Sequence, residues 1–189
     1  MADGFSFFES GLHLLNADEE LKAALAQFLQ SAAEGSKSTS ASLFILDPKE
    51  NVLKPAVTYG LSMAYVEGCG NVAVGDQCCG RAVEHRKPWV VTDMLTDPLF
   101  ASARKAAMDS PIRAAFSVPL LVPGGRCLGS LACHYSDTRQ ATNDEIARNE
   151  TWATLIAHLI SQNQASIPAV SVSAPIFAGG KQTKISQQP

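Results

Sequence analysis

The chain has 189 residues, a formal net charge of −3 and 46% hydrophobic residues, a composition typical of one globular domain with a buried core. Its 15 lysines and arginines are scattered, whereas nucleic-acid binding needs them clustered, so we expect no nucleic-acid partner. No stretch has the length and apolar character of a membrane span or the pattern of a secretory signal. The sequence therefore predicts a soluble, cytoplasmic protein with no membrane partner.

The cysteine pattern favours free thiols. The count is odd and no two cysteines have the C-x-x-C spacing of zinc or thioredoxin sites, which argues against a disulfide framework and against a metal site. The pattern identifies no cofactor. The five cysteines are Cys69, Cys78, Cys79, Cys127 and Cys133.

The first 35 residues read as an N-terminal helical segment. Phe5, Phe8, Leu12 and Leu15 recur at helical spacing and predict a first, weak helix, which Gly11 interrupts.

A stronger helix is predicted over residues 17–34. Asn16 followed by Glu19 has the pattern of a capping box, and apolar residues from Leu21 onward line one face. Gly35 stands where such a helix ends.

The middle of the chain alternates hairpins and helices. Runs 41–46 and 52–59 predict a hairpin, in which Pro55 marks an edge or an irregularity. A short helix is expected near 62–66, and a helical turn should end near His85.

The second half repeats this plan. Residues 89–92 predict a strand, and Asp97 before a proline predicts an N-capped helix to about residue 107. Residues 114–122 and 126–135 form a second predicted hairpin. Thr142 begins a capping box and a helix to about residue 162, followed by a flexible tail over 163–189.

This order of elements predicts an α+β fold. Hairpins separated by helices indicate a central antiparallel sheet with helices on both faces. The two terminal helices should lie together on one face. A pocket is then expected between the other face and the middle helices.

Several motifs resemble those of GAF domains from bacterial sensor kinases and related signalling proteins. The likeness covers residues 38–162, although Pro111 stands where the family often has glycine. The motifs are Cys79-Gly80-Arg81-Ala82, Val91-Thr92-Asp93-Met94, Asp97-Pro98, Arg113 to Leu120, Arg126 to Gly129, and Thr142 to Glu145.

The resemblance implies a GAF/PAS-like fold over residues 36–162. It also implies a non-catalytic sensor in two-component signalling, which binds an unknown small molecule, forms a homodimer through its terminal helices and acts on a signalling partner protein. The ligand is left open, because one fold serves many functions.

By position in that family, seven residues are candidates for ligand contact. The two arginines among them favour an anionic or carboxylate-bearing ligand, if they point into the pocket. Capping or ion pairing is the competing explanation for each charged residue. The candidates are Cys79, Asp93, Phe100, Arg104, Arg113, Ser117 and His134.

Three other hypotheses stay open or are disfavoured. A thiol-dependent reductase of the free methionine sulfoxide reductase type would use Cys79, but residues 93–118 contain no second cysteine. A ligand-free dimerisation module is another alternative. Cys133-His134 matches the dipeptide that carries bilin in phytochrome-like GAF domains, but there it belongs to the middle helix region and here it falls in a predicted strand. Strand alternation predicts Cys127 and Cys133 on one face of the sheet and His134 on the other.

Overall fold

The computed structural model describes residues 4–166 and resolves a sheet flanked by helices. The predicted tail over 163–189 lies almost entirely outside the described residues. The strands are β1 Phe5–Phe7, β2 Ser40–Asp47, β3 Val52–Tyr59, β4 Val72–Ala73, β5 Trp89–Val91, β6 Ala114–Leu121 and β7 Cys127–Tyr135. The α-helices are α1 Glu9–Leu15, α2 Glu19–Gly35, α3 Met63–Cys69, α4 Gln77–His85, α5 Arg104–Met108 and α6 Asn143–Ser166, with a 3₁₀ helix at Pro98–Ala103.

All strand pairs in the sheet are antiparallel, which confirms the predicted fold class. The strand order is β1-β3-β2-β7-β6-β5, and β4 pairs with β3 beside that path. The two predicted hairpins, β2–β3 and β6–β7, meet at the centre through the β2–β7 pair. Pro55 lies between the segments of β3 that pair with β1 and β4, next to a shift in the β2–β3 register that leaves Ala56 unpaired, a position typical of proline in a strand.

The N-terminal segment differs from the prediction. Phe5 does not begin a helix: residues Phe5–Phe7 form an edge strand, and the Phe5 ring lies 5.0 Å from that of Tyr59. The helix α1 begins only at Glu9. Its Gly11 backbone lies so close to β3 that a Cβ there would overlap the carbonyl oxygen of Pro55. Pairing with a distant strand thus outweighs the local helical spacing.

The cap of α2 also differs from the prediction. Asp18, not Asn16, is the N-cap residue, and its Oδ1 accepts a hydrogen bond of 2.8 Å from the Leu21 N–H. Asn16 instead ends α1 in a left-handed conformation with φ 48°. The cap of α6 is confirmed, because the Glu145 carboxylate accepts from the Thr142 N–H at 2.8 Å and the Glu145 N–H donates to the Thr142 hydroxyl. This helix continues past the predicted end at residue 162.

The sheet separates two cores. On the terminal-helix face, α1, α2 and α6 bury Leu25, Leu29 and Ile156 against strand residues such as Phe116 and Leu131. On the opposite face, called here the cavity face, α3, α4, α5 and the 3₁₀ helix cover the sheet with smaller clusters. Within residues 4–166, no helix combines the length and apolar character needed to cross a membrane.

A bulge in β7 overturns one predicted arrangement. Cys127 packs in the cavity-face cluster, whereas Cys133 is buried on the terminal-helix face, so the two thiols lie on opposite faces. The register between β6 and β7 shifts beyond Pro119, and Gly129 has φ +154° at this point. One inserted residue reverses the alternation of side chains. His134 does face away from Cys133, as predicted.

Candidate functional site

A cavity lies between the cavity face of the sheet and the middle helices. Its volume is about 20 Å³, which is room for about one water molecule. The space is therefore nearly filled by the protein's own side chains. Its lining consists of Ser42, Phe44, Leu61, Tyr65, Val66, Cys69, Val72, Gln77, Cys78, Cys79, Met94, Phe100 and His134.

The helix α3 and the 3₁₀ helix cover the cavity on the side away from the sheet. The Ser62 hydroxyl caps α3 by accepting from the Tyr65 N–H at 3.2 Å. Tyr65 then reaches across the cavity roof, where its hydroxyl donates to the Met94 sulfur at 3.6 Å. Phe100, at 1% exposure, extends from the 3₁₀ helix into the same layer. Most of the roof is therefore apolar.

His134 is the most polar group of the floor. Its Nε2 lies 3.0 Å from the Ser42 hydroxyl on the neighbouring strand, and its Nδ1 is buried with no hydrogen-bond partner among the described residues. The Tyr65 ring meets the imidazole edge-on at 5.8 Å between centroids. Burial lowers the pKa of His134 to about 4, so the ring is neutral at pH 7.

Three thiols also line the cavity. Burial raises the pKa of Cys69 to about 12 and that of Cys78 to about 12, and it raises the pKa of Cys79 as well. Cys79 accepts a hydrogen bond from the Ser117 hydroxyl at 3.4 Å. A nucleophilic cysteine needs a thiolate, and these environments favour the protonated thiol.

The predicted charged contacts lie outside this cavity lining. Arg113 and Asp93 form an ion pair at 3.1 Å, and Asp93 also accepts from the Leu95 N–H at 3.0 Å. The hydrogen bond from Leu95, with that from Arg113, holds the pKa of Asp93 below its usual value. The loop cap and the ion pair account for both residues.

Arg104 takes part in a second polar cluster beside the cavity. Its Nη2 donates to the Asp97 carbonyl at 3.0 Å, and the buried Arg81 pairs with the Asp97 carboxylate at 3.1 Å. The Arg81 guanidinium also lies over the Trp89 ring, 5.3 Å from its centroid. These contacts join α4 to the 3₁₀ helix that covers the cavity.

The structure thus brings together three of the seven candidates: Cys79, Phe100 and His134 line the cavity. Ser117 contacts it only through Cys79. Because Arg104 and Arg113 do not line the described cavity, they give no support to a carboxylate-bearing ligand there.

Sequence reasoning missed the partners of His134. Ser42 lies on the cavity face of β2, where it pairs in register with Ala132, two residues before His134. Strand alternation in β2 could have placed its hydroxyl in the pocket. Tyr65, Met94 and Gln77 could not be found this way, since α3 and the loops reach the site only through tertiary packing. Gln77 is held there by donating to the Cys69 carbonyl at 3.3 Å.

No metal centre is formed by the part of the chain that the structure describes. Among those residues, no three His, Cys, Asp or Glu side chains are grouped as ligands of one ion. All five cysteines, which fall inside this part, are free.

The fold is an α+β domain in which an antiparallel sheet carries a small cavity under its middle helices. The family model of the GAF domain matches residues 20–164. The chain belongs to the GAF domain family. A comparison with curated proteins finds no relative of significant similarity.

Solved structures share this fold. The GAF domain of a phosphoenolpyruvate-protein phosphotransferase from Coxiella burnetii is 22% identical, covering 83% of this chain and 92% of that chain with a TM-score of 0.67. A domain assigned to a two-component sensor histidine kinase of Sinorhizobium meliloti 1021 is 17% identical over 78% and 96%, with a TM-score of 0.66.

A free methionine-R-sulfoxide reductase from Neisseria meningitidis, solved with its substrate, is also similar. It is 19% identical over 82% of this chain and 86% of that chain, with a TM-score of 0.65. Sensors and an enzyme therefore share the architecture, and at such identities the likeness shows the fold alone.

Proposed function

We propose that this domain is a non-catalytic, cytoplasmic sensor that binds a small molecule in the cavity and transmits its presence through the terminal helices. The observation that carries the proposal is His134, a neutral and buried imidazole whose Nδ1 has no partner among the described residues. An unpaired buried polar atom costs free energy that a bound molecule can recover. Ligands larger than a water molecule require α3 and the 3₁₀ helix to shift away from the sheet.

Strand β7 offers a direct route for transmission. His134 faces the cavity, while its neighbours Cys133 and Tyr135 face the terminal helices. The Cys133 thiol lies 3.4 Å from the Asn149 side-chain oxygen on α6, and the Tyr135 hydroxyl donates to the Ser36 carbonyl, just beyond α2, at 3.2 Å. A displacement of His134 by ligand would move both contacts together.

The outer surface of α2 and α6 suits a second copy of the chain and the signalling partner. Phe28 and Trp152 pack on each other at 5.7 Å between centroids, and each is partly buried against the core and partly exposed. Leu155, at 44% exposure, continues this apolar strip along α6. Burying it against the same strip of a second copy gives a two-fold homodimer.

The alternative is a sulfoxide reductase, favoured by the three cavity thiols. Reduction of a sulfoxide by two thiols yields a thioether, a disulfide and water, so each turnover consumes two free thiols. The raised pKa values of these cysteines oppose this activity. Incubation with methionine sulfoxide should leave all five thiols titratable by a thiol reagent in denaturant, and loss of two would favour the enzyme.

A thermal-shift screen of nucleotides, amino acids, anions and neutral compounds tests the proposal. A ligand at 100 times its Kd stabilises the fold by about 2.7 kcal/mol, or about 5–10 °C in Tm for a domain of this size. Val72→Ile adds a methylene to the cavity wall and should abolish the shift. Val118→Ile, a matched change in the terminal-helix core, should keep it. A shift that both variants keep, or none for any compound, contradicts the proposal.

A further inference from the structure

We infer that the cavity recognises a small, neutral, mostly apolar molecule with one hydrogen-bonding group, and that this group binds Nδ1 of His134. The inference rests on the proposed function, because it names the class of ligand for the same cavity. Three observations carry it: the lining contains no ionised side chain, its walls are almost wholly apolar, and one of its polar atoms is unpaired.

The absence of Asp, Glu, Lys and Arg from the lining argues against an ionic ligand. Among the described residues that line the cavity there is no Asp, Glu, Lys or Arg. The cations beside the cavity are already engaged: Arg81 with the Asp97 carboxylate, Arg104 with the Asp97 carbonyl and Arg113 with Asp93. A carboxylate or ammonium group would lose its hydration without gaining a counter-charge, which costs several kcal/mol. A neutral molecule avoids this cost.

Among the buried side-chain nitrogen and oxygen atoms of the described lining residues, one has no hydrogen-bond partner. Gln77 donates to the Cys69 carbonyl and the Tyr65 hydroxyl donates to Met94. Ser42 and His134 Nε2 satisfy each other at 3.0 Å. Nδ1 of His134 is then the orphan, and it is buried with the ring at 6% exposure.

The direction of the Ser42–His134 hydrogen bond sets whether the ligand must donate a hydrogen bond to Nδ1 or accept one from it. If Nε2–H donates to Ser42, Nδ1 is an acceptor; if the Ser42 hydroxyl donates to Nε2, Nδ1–H is a donor. A hydroxyl group on the ligand fits both tautomers, since it can donate or accept. The remainder of the ligand meets Phe44, Val66 and Phe100, so an apolar body adds contact area at no polar cost.

Phenol, toluene and benzoate form a matched set of probes. Phenol and toluene differ by a hydroxyl in place of a methyl, and benzoate adds a negative charge. Each is titrated into the full chain carrying ¹³C-methyl methionine and ¹⁵N-histidine, and the Met94 methyl and His134 nitrogen signals are followed. Phenol should bind three- to tenfold more tightly than toluene, and tenfold corresponds to 1.4 kcal/mol. Benzoate should give no shift at Met94.

Two variants and one wild-type signal identify the hydrogen bond. In His134→Phe the preference for phenol over toluene should vanish, whereas Ser130→Ala, on the same face of β7 but outside the lining, should keep it. If His134→Phe does not fold, the wild-type Nδ1 resonance decides, because phenol should shift it and toluene should not.

Each failure has a distinct meaning. Toluene binding as tightly as phenol, or benzoate binding at Met94, overturns the ligand class while the cavity remains a binding site. Binding of none of the three probes also overturns it. The proposed function fails separately, when no compound in the thermal-shift screen gives a shift that Val72→Ile removes.

Discussion

Lowering the pH from 7 to 5 should destabilise the fold through His134. The pKa of this residue falls from 6.5 to about 4 on folding because the ring is buried. Between these two pKa values, His134 is protonated in the unfolded chain and neutral in the folded chain. The stability that depends on a neutral His134 is fully present above pH 6.5 and is lost as the pH falls from 6.5 towards 4.

The magnitude follows from the two pKa values. One pH unit within this interval corresponds to 1.36 kcal/mol, so the whole interval is worth about 3 kcal/mol. Between pH 7 and pH 5 the expected loss is about 2 kcal/mol. The paired carboxylates Asp47, Asp93 and Glu145, whose pKa values are lowered, lose their contribution only as the pH falls below 4.5, outside the range from pH 7 to pH 5.

Urea unfolding at pH 5, 6 and 7, followed by tryptophan fluorescence, measures this loss. His134→Gln should remove the pH dependence of the free energy of unfolding in this interval, even if it lowers stability overall. His158→Gln, a change of an exposed histidine on α6, should keep it. A wild-type stability that is the same at pH 5 and pH 7 would refute the buried, neutral state of His134.

Further predictions concern packing and the polar cluster beside the cavity. Gly11→Ala should cost about 1–3 kcal/mol of stability in urea unfolding, because the new Cβ would overlap the Pro55 carbonyl. Gly35→Ala is the control: it has open space around it and should gain up to about 1 kcal/mol. Equal effects of the two substitutions would contradict the close packing of α1 on β3. Arg81→Met should destabilise by about 1–3 kcal/mol, because the partly buried Asp97 carboxylate loses its ion-pair partner. Adding Asp97→Asn should recover part of this loss. Fully additive effects in the double-mutant cycle would show that the pair is not coupled.

Features set by neighbours in sequence could be predicted. The caps at Asp97 and Thr142 need only residues within three positions, and both are present as expected. Features set by distant strands could not. The edge strand at Phe5 depends on Tyr59, and the inverted facing of Cys127 depends on a bulge where Gly129 packs on Phe44.

In the candidate site too, local features could be predicted and features that depend on distant residues could not. His134 faces away from Cys133, as strand alternation predicts for neighbouring residues of one strand. The partners of Asp93, Arg104 and Arg113 lie in loops brought together by folding, so their charges were expected in a pocket that they do not line. Resemblance to a family located the pocket but not which polar groups remain free inside it.

Amide hydrogen exchange with and without phenol tests most directly whether the cavity communicates with the terminal helices. The account predicts slower exchange in α3, which covers the cavity, and a change in α6 around Asn149 and at the end of α2 near Ser36, which contact β7. Protection confined to α3 would contradict transmission through β7, and no change in any helix would contradict binding of phenol in the cavity.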